Sequence, residues 1–63
     1  MEKRVWTLTC DLNGFKFKVY LRTLETSLHD YIKTELPQCT SYVGSSDKEI
    51  ELASKLGLPI YCY

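Results

Sequence analysis

Hydrophobic and polar residues alternate along the first third of the chain in two runs. The runs are VWTLTCDL and FKFKVYL, and the pair Asn13-Gly14 separates them. Asn-Gly favours a two-residue type I′ turn, because both residues tolerate the positive φ angles that this turn requires. The pattern therefore predicts an antiparallel hairpin over residues 4 to 22.

The turn also fixes which residues of the two strands face each other. One face of the ribbon pairs Leu12 with Phe15, Cys10 with Phe17, Leu8 with Val19 and Trp6 with Leu21. The opposite face pairs Asp11 with Lys16, Thr9 with Lys18, Thr7 with Tyr20 and Val5 with Arg22. Since cross-strand partners point to the same side of a sheet, we expect the apolar face to be core and the polar face to be the outer face.

A helical periodicity follows the hairpin in the segment TLETSLHDYIKTELP. Its apolar positions lie on one stripe: Leu24, Leu28, Tyr31, Ile32 and Leu36. Thr23, or Ser27 together with Asp30, can cap the start, and Pro37 ends the helix at Leu36. Because a two-stranded ribbon alone is barely stable in water, the stripe should cover the apolar face of the hairpin. The expected core is Trp6, Leu8, Phe15, Phe17, Val19 and Leu21 against Leu28 and Ile32.

The last third of the chain predicts a strand, a helix and a strand. CTSYV predicts a strand at residues 39–43, and PIYCY predicts a strand at the end of the sequence. Between them, Ser46 and Glu49 form a capping box, and Gly57 with Pro59 marks the helix end. Such a unit normally makes a right-handed crossover between parallel strands. The expected fold is therefore a single small α+β domain over residues 1–63, of order ββαβαβ, with both helices packed on one sheet face.

One segment resembles a known group of folds. KEIELASKLGLPIY, 14 of the 63 residues, is similar to the closing helix and strand of Rossmann-like proteins, including the nucleoside deoxyribosyltransferase-like family. The similarity consists of packing positions: Ile50, Ala53, Leu56, Gly57, Pro59 and Ile60. It implies a helix followed by a strand, and no function is carried over.

Charge and composition exclude several classes of protein. The net charge is zero, so the chain is not a polycation built for duplex DNA. The longest apolar runs are far too short for a membrane span, and the early polar residues are not typical of a signal peptide, so a cytoplasmic location is expected. The charges are nevertheless unevenly distributed, because residues 1–22 carry +3 and residues 23–63 carry −3.

No residue pattern indicates catalysis, a cofactor or a metal. The spacings of the three cysteines, Cys10, Cys39 and Cys62, match neither a CxxC redox motif nor paired zinc knuckles. Free buried thiols are therefore expected, with a disulfide or a metal site including His29 as alternatives. His29 and Asp30 are helical neighbours that do not face each other. The turn Gly44-Ser45-Ser46 precedes a helix and could hold a phosphate, but acidic residues follow it. We therefore expect a non-enzymatic protein.

The basic outer face of the hairpin is the candidate site. It presents Lys16, Lys18, Tyr20 and Arg22. The simplest alternative is a solvated face whose edge-strand lysines prevent aggregation. The functional interpretation is an intracellular module, of the kind found among phage and mobile-element accessory proteins, that inhibits or adapts a larger host protein. Single-stranded nucleic acid and a second copy of the chain are the alternative partners, and no membrane is expected.

Overall fold

Residues 2–63, which the computed structural model describes, form four strands and two helices. The strands are β1 (Arg4–Leu12), β2 (Phe15–Thr23), β3 (Cys39–Gly44) and β4 (Ile60–Cys62), and the helices are α1 (Glu25–Glu35) and α2 (Asp47–Lys55). The order β1-β2-α1-β3-α2-β4 confirms the predicted α+β arrangement, and α2 with β4 confirms the helix and strand implied by the Rossmann-like segment.

The N-terminal hairpin has the predicted turn and register. All four apolar pairs and all four polar pairs are present, and Arg4 pairs with Thr23 in addition. Asn13 and Gly14 have φ angles of 53° and 87°, as a type I′ turn requires. The Asp11 Oδ1 atom accepts a hydrogen bond from the Gly14 amide at 2.9 Å, which holds the turn closed.

The hairpin lies in the centre of the sheet, whose strand order is β3-β1-β2-β4. β3 runs antiparallel to β1 on one side, with a register shift between Thr9 and Cys10. β4 runs parallel to β2 on the other side and pairs with only three of its residues, Tyr20, Leu21 and Arg22. β3 and β4 therefore point in the same direction, as predicted, but they form the two opposite edges of the sheet.

Helix α1 covers one face of the sheet, which we name the α1 face. Its buried cluster consists of Trp6, Leu8, Leu21 and Leu28, and half-buried residues pack around it. Trp6 also donates its Nε1–H to the backbone oxygen of Thr23 at 3.2 Å, which satisfies the polar end of the ring. This arrangement confirms that the helical stripe lies on the apolar side of the hairpin.

Helix α2 covers the opposite face, which we name the α2 face, and this corrects the expectation that both helices share one face. Ala53 is fully buried against Val5 and Tyr20, which point away from α1. The reason is topological. The connection through α1 leads from β2 across β1 to β3, and the connection through α2 returns across the sheet to β4. Two connections of the same hand that cross a sheet in opposite directions must lie on opposite faces.

The helix ends agree with the sequence at α2 and at the C-terminal end of α1, where Leu36 is the C-cap, and they differ at the start of α1. The Ser46 side chain accepts from the Glu49 amide, which is one half of the predicted capping box, whereas the Glu49 carboxylate accepts from Tyr20. Gly57 adopts a φ of 71° after the helix, as predicted. At α1 the N-cap is Leu24, with no side-chain cap. Neither Thr23 nor Ser27 caps this helix; Thr23 is the buried last residue of β2.

The predicted core extends too far along the hairpin. Phe15 is 68% exposed and its partner Leu12 is 47% exposed, while Phe17 and Val19 are half-buried. The eleven residues of α1 span roughly 16 Å and the nine of each hairpin strand roughly 30 Å. Since α1 starts directly after β2, it covers the end of the hairpin near Trp6 and leaves the turn end bare.

Candidate binding surface

The predicted basic site is divided by helix α2. Lys16, Lys18 and Arg22 are exposed, whereas Tyr20 is only 5% exposed. The Tyr20 hydroxyl donates to Glu49 Oε1 at 2.8 Å, and the Lys18 Nζ atom lies 3.8 Å from the same oxygen. The three cations therefore remain accessible, but the Tyr20 ring is packed beneath α2 and cannot stack with a base.

Contact with α2 also changes the acidity of Tyr20. The hydrogen bond to Glu49 raises the pKa of the Tyr20 hydroxyl above its ordinary value, and burial and the Glu49 charge act in the same direction. Each of these effects favours the neutral phenol over the phenolate. Tyr20 is thus part of the attachment of α2 to the sheet.

Apolar side chains with solvent-exposed surface lie at the turn end of the hairpin and on and just before β4. We define the apolar strip as Leu12, Phe15, Phe17, Leu58 and Tyr61, of which Phe17 is half-buried and the other four are exposed. Leu12 and Phe15 are cross-strand partners, and the rings of Phe15 and Phe17 stack with centroids 6.1 Å apart. Tyr61 pairs with Leu21 on the next strand and is 52% exposed.

A groove of about 300 Å³ connects the two parts of the apolar strip. It is lined by Phe17, Lys18, Val19, Tyr20, Leu58, Pro59 and Tyr61. Phe15 and Phe17 were expected in the core, and the sequence pattern predicted no role for Leu58. The length mismatch between the predicted hairpin strand and the predicted helix was the signal that could have found this surface.

The outer edge of β2 is open along its first half. β4 pairs with Tyr20 to Arg22, and within residues 2–63 no strand lies beside residues 15–19 on that side. In a hairpin with a two-residue turn, the two residues that flank the turn form backbone hydrogen bonds to each other. The next residue on each strand points its N–H and C=O away from the partner strand, and this alternation continues along the strand. The backbone N–H and C=O of Lys16 and Lys18 therefore face the open edge. Arg22 has the same orientation, since its oxygen accepts from the Tyr63 amide at 3.0 Å.

The cysteines and His29 do not form a reactive site. Cys10 is buried, Cys39 is half-buried and Cys62 is exposed, and all three are free thiols. Burial, with a smaller contribution from the neighbouring Cys39, raises the pKa of the Cys10 thiol, which keeps it protonated and unreactive. His29 is exposed and its Nε2 atom lies 3.3 Å from the Tyr42 hydroxyl.

The Gly-Ser-Ser turn before α2 is occupied by its own hydrogen bonds. Ser46 caps the Glu49 amide at 3.2 Å, and the Ser45 and Thr7 hydroxyls lie 2.6 Å apart. Within the described residues, no group of three or more His, Cys, Asp or Glu side chains is placed to hold a metal ion. No helix in the same range has the length and apolar character needed to cross a bilayer.

Scans against protein-family models, curated proteins and solved structures found no match to this chain. The function must therefore be inferred from the apolar strip, the exposed lysines and the open strand edge.

Proposed function

We propose that the protein is a small non-enzymatic cytoplasmic module that binds a larger protein through the apolar strip and the lysines beside it. The observation that carries this proposal is the exposure of Phe15, at 68%, between its cross-strand partner Leu12 and the stacked ring of Phe17. Contiguous exposed apolar surface on a soluble domain commonly marks an interaction site, and aromatic residues are enriched at interface centres.

Exposed lysines lie along the same strand edge, on its other face. Lys16 and Lys18 are exposed and alternate along β2 with Phe15 and Phe17. A partner that covers this edge of β2 would therefore contact phenylalanines on one face and lysines on the other. By size and form, the protein fits the accessory proteins of phages and mobile elements, which inhibit or adapt a host protein by covering its surface.

A single-stranded nucleic acid is the second candidate partner. Phe15 and Phe17 are rings next to exposed cations, and stacking rings with basic residues suit single-stranded binding. Burial of Tyr20 removes the ring on which this alternative first depended. The two phenylalanines also lie on the face opposite to the lysine side chains, so the protein partner is favoured.

The proposal is tested by capture of a partner with matched variants. Phe15→Ser removes the most exposed ring of the strip, and Val43→Ser removes a side chain of similar exposure, 64%, at the opposite edge of the sheet. We expect wild type and Val43→Ser to retain the same partner from a bacterial lysate and Phe15→Ser to lose it. Equal capture by the three proteins would contradict the assignment of this surface.

The nucleic-acid alternative has its own measurement. Labelled single-stranded DNA and RNA are titrated with wild type, with Lys16→Glu/Lys18→Glu and with the control Lys48→Glu/Lys55→Glu. If nucleic acid is the partner, binding should weaken steeply with salt, because phosphate contacts release counterions. Only the first double variant should then lose it. For the protein partner we expect no measurable oligonucleotide binding at physiological salt.

A further inference from the structure

We propose that the open edge of β2 binds an extended acidic segment of the partner protein as an additional strand beside residues 15–19. This inference rests on the proposed function, because it specifies how the surface around Phe15 holds a protein. The added strand would lie in line with β4, which occupies the remaining part of the same edge.

The first observation that supports strand addition is the direction of the backbone groups of β2. Lys16 and Lys18 direct their N–H and C=O groups to the open side of β2, where the described residues provide no partner. Such an edge is a template for another strand, and main-chain hydrogen bonds then supply affinity without requiring a particular sequence.

Pro59 explains why the protein's own chain does not fill this edge. β4 begins at Ile60, opposite Tyr20, and the preceding residue Pro59 has no N–H to donate to a sheet. The segment before it turns away toward α2, since the Leu58 amide donates to the Ala53 oxygen. The edge therefore remains free from Val19 to the hairpin turn.

The side chains specify what kind of segment fits. On the α1 face the edge presents Phe15, Phe17 and Val19, and on the α2 face it presents the exposed Lys16 and Lys18. An added strand alternates in the same way, so apolar side chains would pack on the phenylalanines and carboxylates would lie beside the lysines. Lys16 makes no salt bridge within residues 2–63, whereas Lys18 has a loose contact with Glu49.

The groove and the free edge of β3 further indicate where the added strand binds. The groove of about 300 Å³ beside Leu58 and Tyr61 lies where the added strand would meet β4, and it can accept an apolar side chain at that end. The free edge of β3 presents uncharged residues, Thr40 to Val43, and offers no charge that would select a partner. The β2 edge is therefore the site, and an alternating apolar and acidic strand is its ligand.

The test uses a labelled synthetic peptide of about seven residues that alternates valine and glutamate, long enough to span the free part of β2. We expect it to bind the full chain and to slow hydrogen exchange at the Lys16 and Lys18 amides, while exchange at Thr40 and Tyr42 is unchanged. Lys16→Glu should weaken binding about tenfold or more, because it places like charges together. The same peptide with lysine in place of glutamate should not bind, and equal binding of the two peptides would overturn the acidic specification.

Two N-methylated peptides test the strand geometry. One is methylated on its valine nitrogens and the other on its glutamate nitrogens, so each has donors blocked along one edge only. We expect only one of the two to lose binding, since a bound strand turns one edge to β2. Equal effects of the two methylations, or unchanged exchange at Lys16 and Lys18, would overturn strand addition.

Failure of this inference can be told apart from failure of the proposed function. If Phe15→Ser loses the captured partner while the valine–glutamate peptide leaves the Lys16 and Lys18 amides unprotected, the surface binds protein by another geometry. If neither experiment gives an effect, both proposals are wrong.

A wild-type dimer in sedimentation that is lost in Lys16→Pro would assign the edge to a second copy and overturn the acidic ligand. Proline is tolerated at outward edge positions, and a melting curve verifies that this variant is folded.

Discussion

The two faces of the central hairpin are covered by helices of similar length but by different kinds of contact. On the α1 face, large apolar side chains form the core: Trp6, Leu8, Leu21 and Leu28. On the α2 face, the small side chain of Ala53 packs on Val5 and Tyr20. The first face depends on the amount of apolar surface buried, and the second depends on close approach of the helix.

Polar contacts complete the α2 face. Thr7 contacts Ser45 at 2.6 Å, and Tyr20 donates to Glu49 at 2.8 Å. Threonine and tyrosine carry both an apolar surface and a hydroxyl, so they can be covered when the hydroxyl finds a partner. A strand face on which polar residues alternate is therefore not necessarily a solvent face.

The largest expected effect is on the α1 face. Leu8→Ala removes a fully buried side chain and should lower the free energy of unfolding by about 2–5 kcal/mol, through lost burial and the cavity left behind. Phe17→Ala should cost less, because Phe17 is only half-buried. Urea denaturation of both variants measures the difference. A Leu8→Ala protein that unfolds at the wild-type urea concentration would show that α1 does not pack here.

The next largest expected effect tests how closely helix α2 packs on the sheet. Ala53→Leu places additional methylene groups where Ala53 contacts Val5 and Tyr20, and should destabilise the protein by about 1–3 kcal/mol. Ser54→Leu makes the same addition at the neighbouring exposed position and should change stability by no more than about 0.5 kcal/mol. Equal melting temperatures for the two variants would place α2 away from the sheet.

A smaller effect tests the hydroxyl contact on the same face. Tyr20→Phe should lower the free energy of unfolding by about 0.5–1.5 kcal/mol, since it leaves the Glu49 carboxylate without its donor. The control Tyr61→Phe alters an exposed ring and should have no effect.

The same contact predicts a pH dependence. The pKa of Tyr20 is raised in the folded protein, so this group stabilises the fold fully below its ordinary pKa of 10.0, and the contribution is lost as the pH rises through the folded pKa. Wild type should therefore lose more stability above pH 10.0 than Tyr20→Phe does. Parallel pH curves for the two proteins would show that the hydrogen bond is absent in solution.

The smallest expected effect on stability concerns the turn end of the hairpin, which neither helix covers. Phe15→Ser should change the free energy of unfolding by no more than about 0.5 kcal/mol, because the ring is 68% exposed. Thermal melting measures this directly. A loss comparable to that of Leu8→Ala would mean that the turn end of the hairpin is core.

Local patterns determine the parts of the fold that could be predicted. The Asn13-Gly14 turn specified the register of β1 and β2, and periodicity placed α1 on the apolar face. The face chosen by α2 could not be predicted in this way, because it depends on strand order, and β3 and β4 lie at opposite edges of the sheet. Strand order arises from contacts between distant parts of the chain.

The candidate site also combines features that follow from local sequence patterns with features that depend on distant parts of the chain. Exposure of Lys16, Lys18 and Arg22 follows from alternation along β2, and it was predicted correctly. Burial of Tyr20 depends on α2 and was not predicted. The apolar strip could have been predicted only from the difference in length between α1 and β2. Whether these residues bind a partner stays a prediction.

The central position of the hairpin has a consequence for the order of events in folding. A hairpin closed by a two-residue turn forms in about 1–10 μs, while β3 and β4 must each be brought from a distant part of the chain to its edges. We therefore expect the hairpin to form first and the two edge strands to complete the sheet around it. Substitution of Gly14 should accordingly slow refolding, whereas substitution of Ile60 should mainly accelerate unfolding.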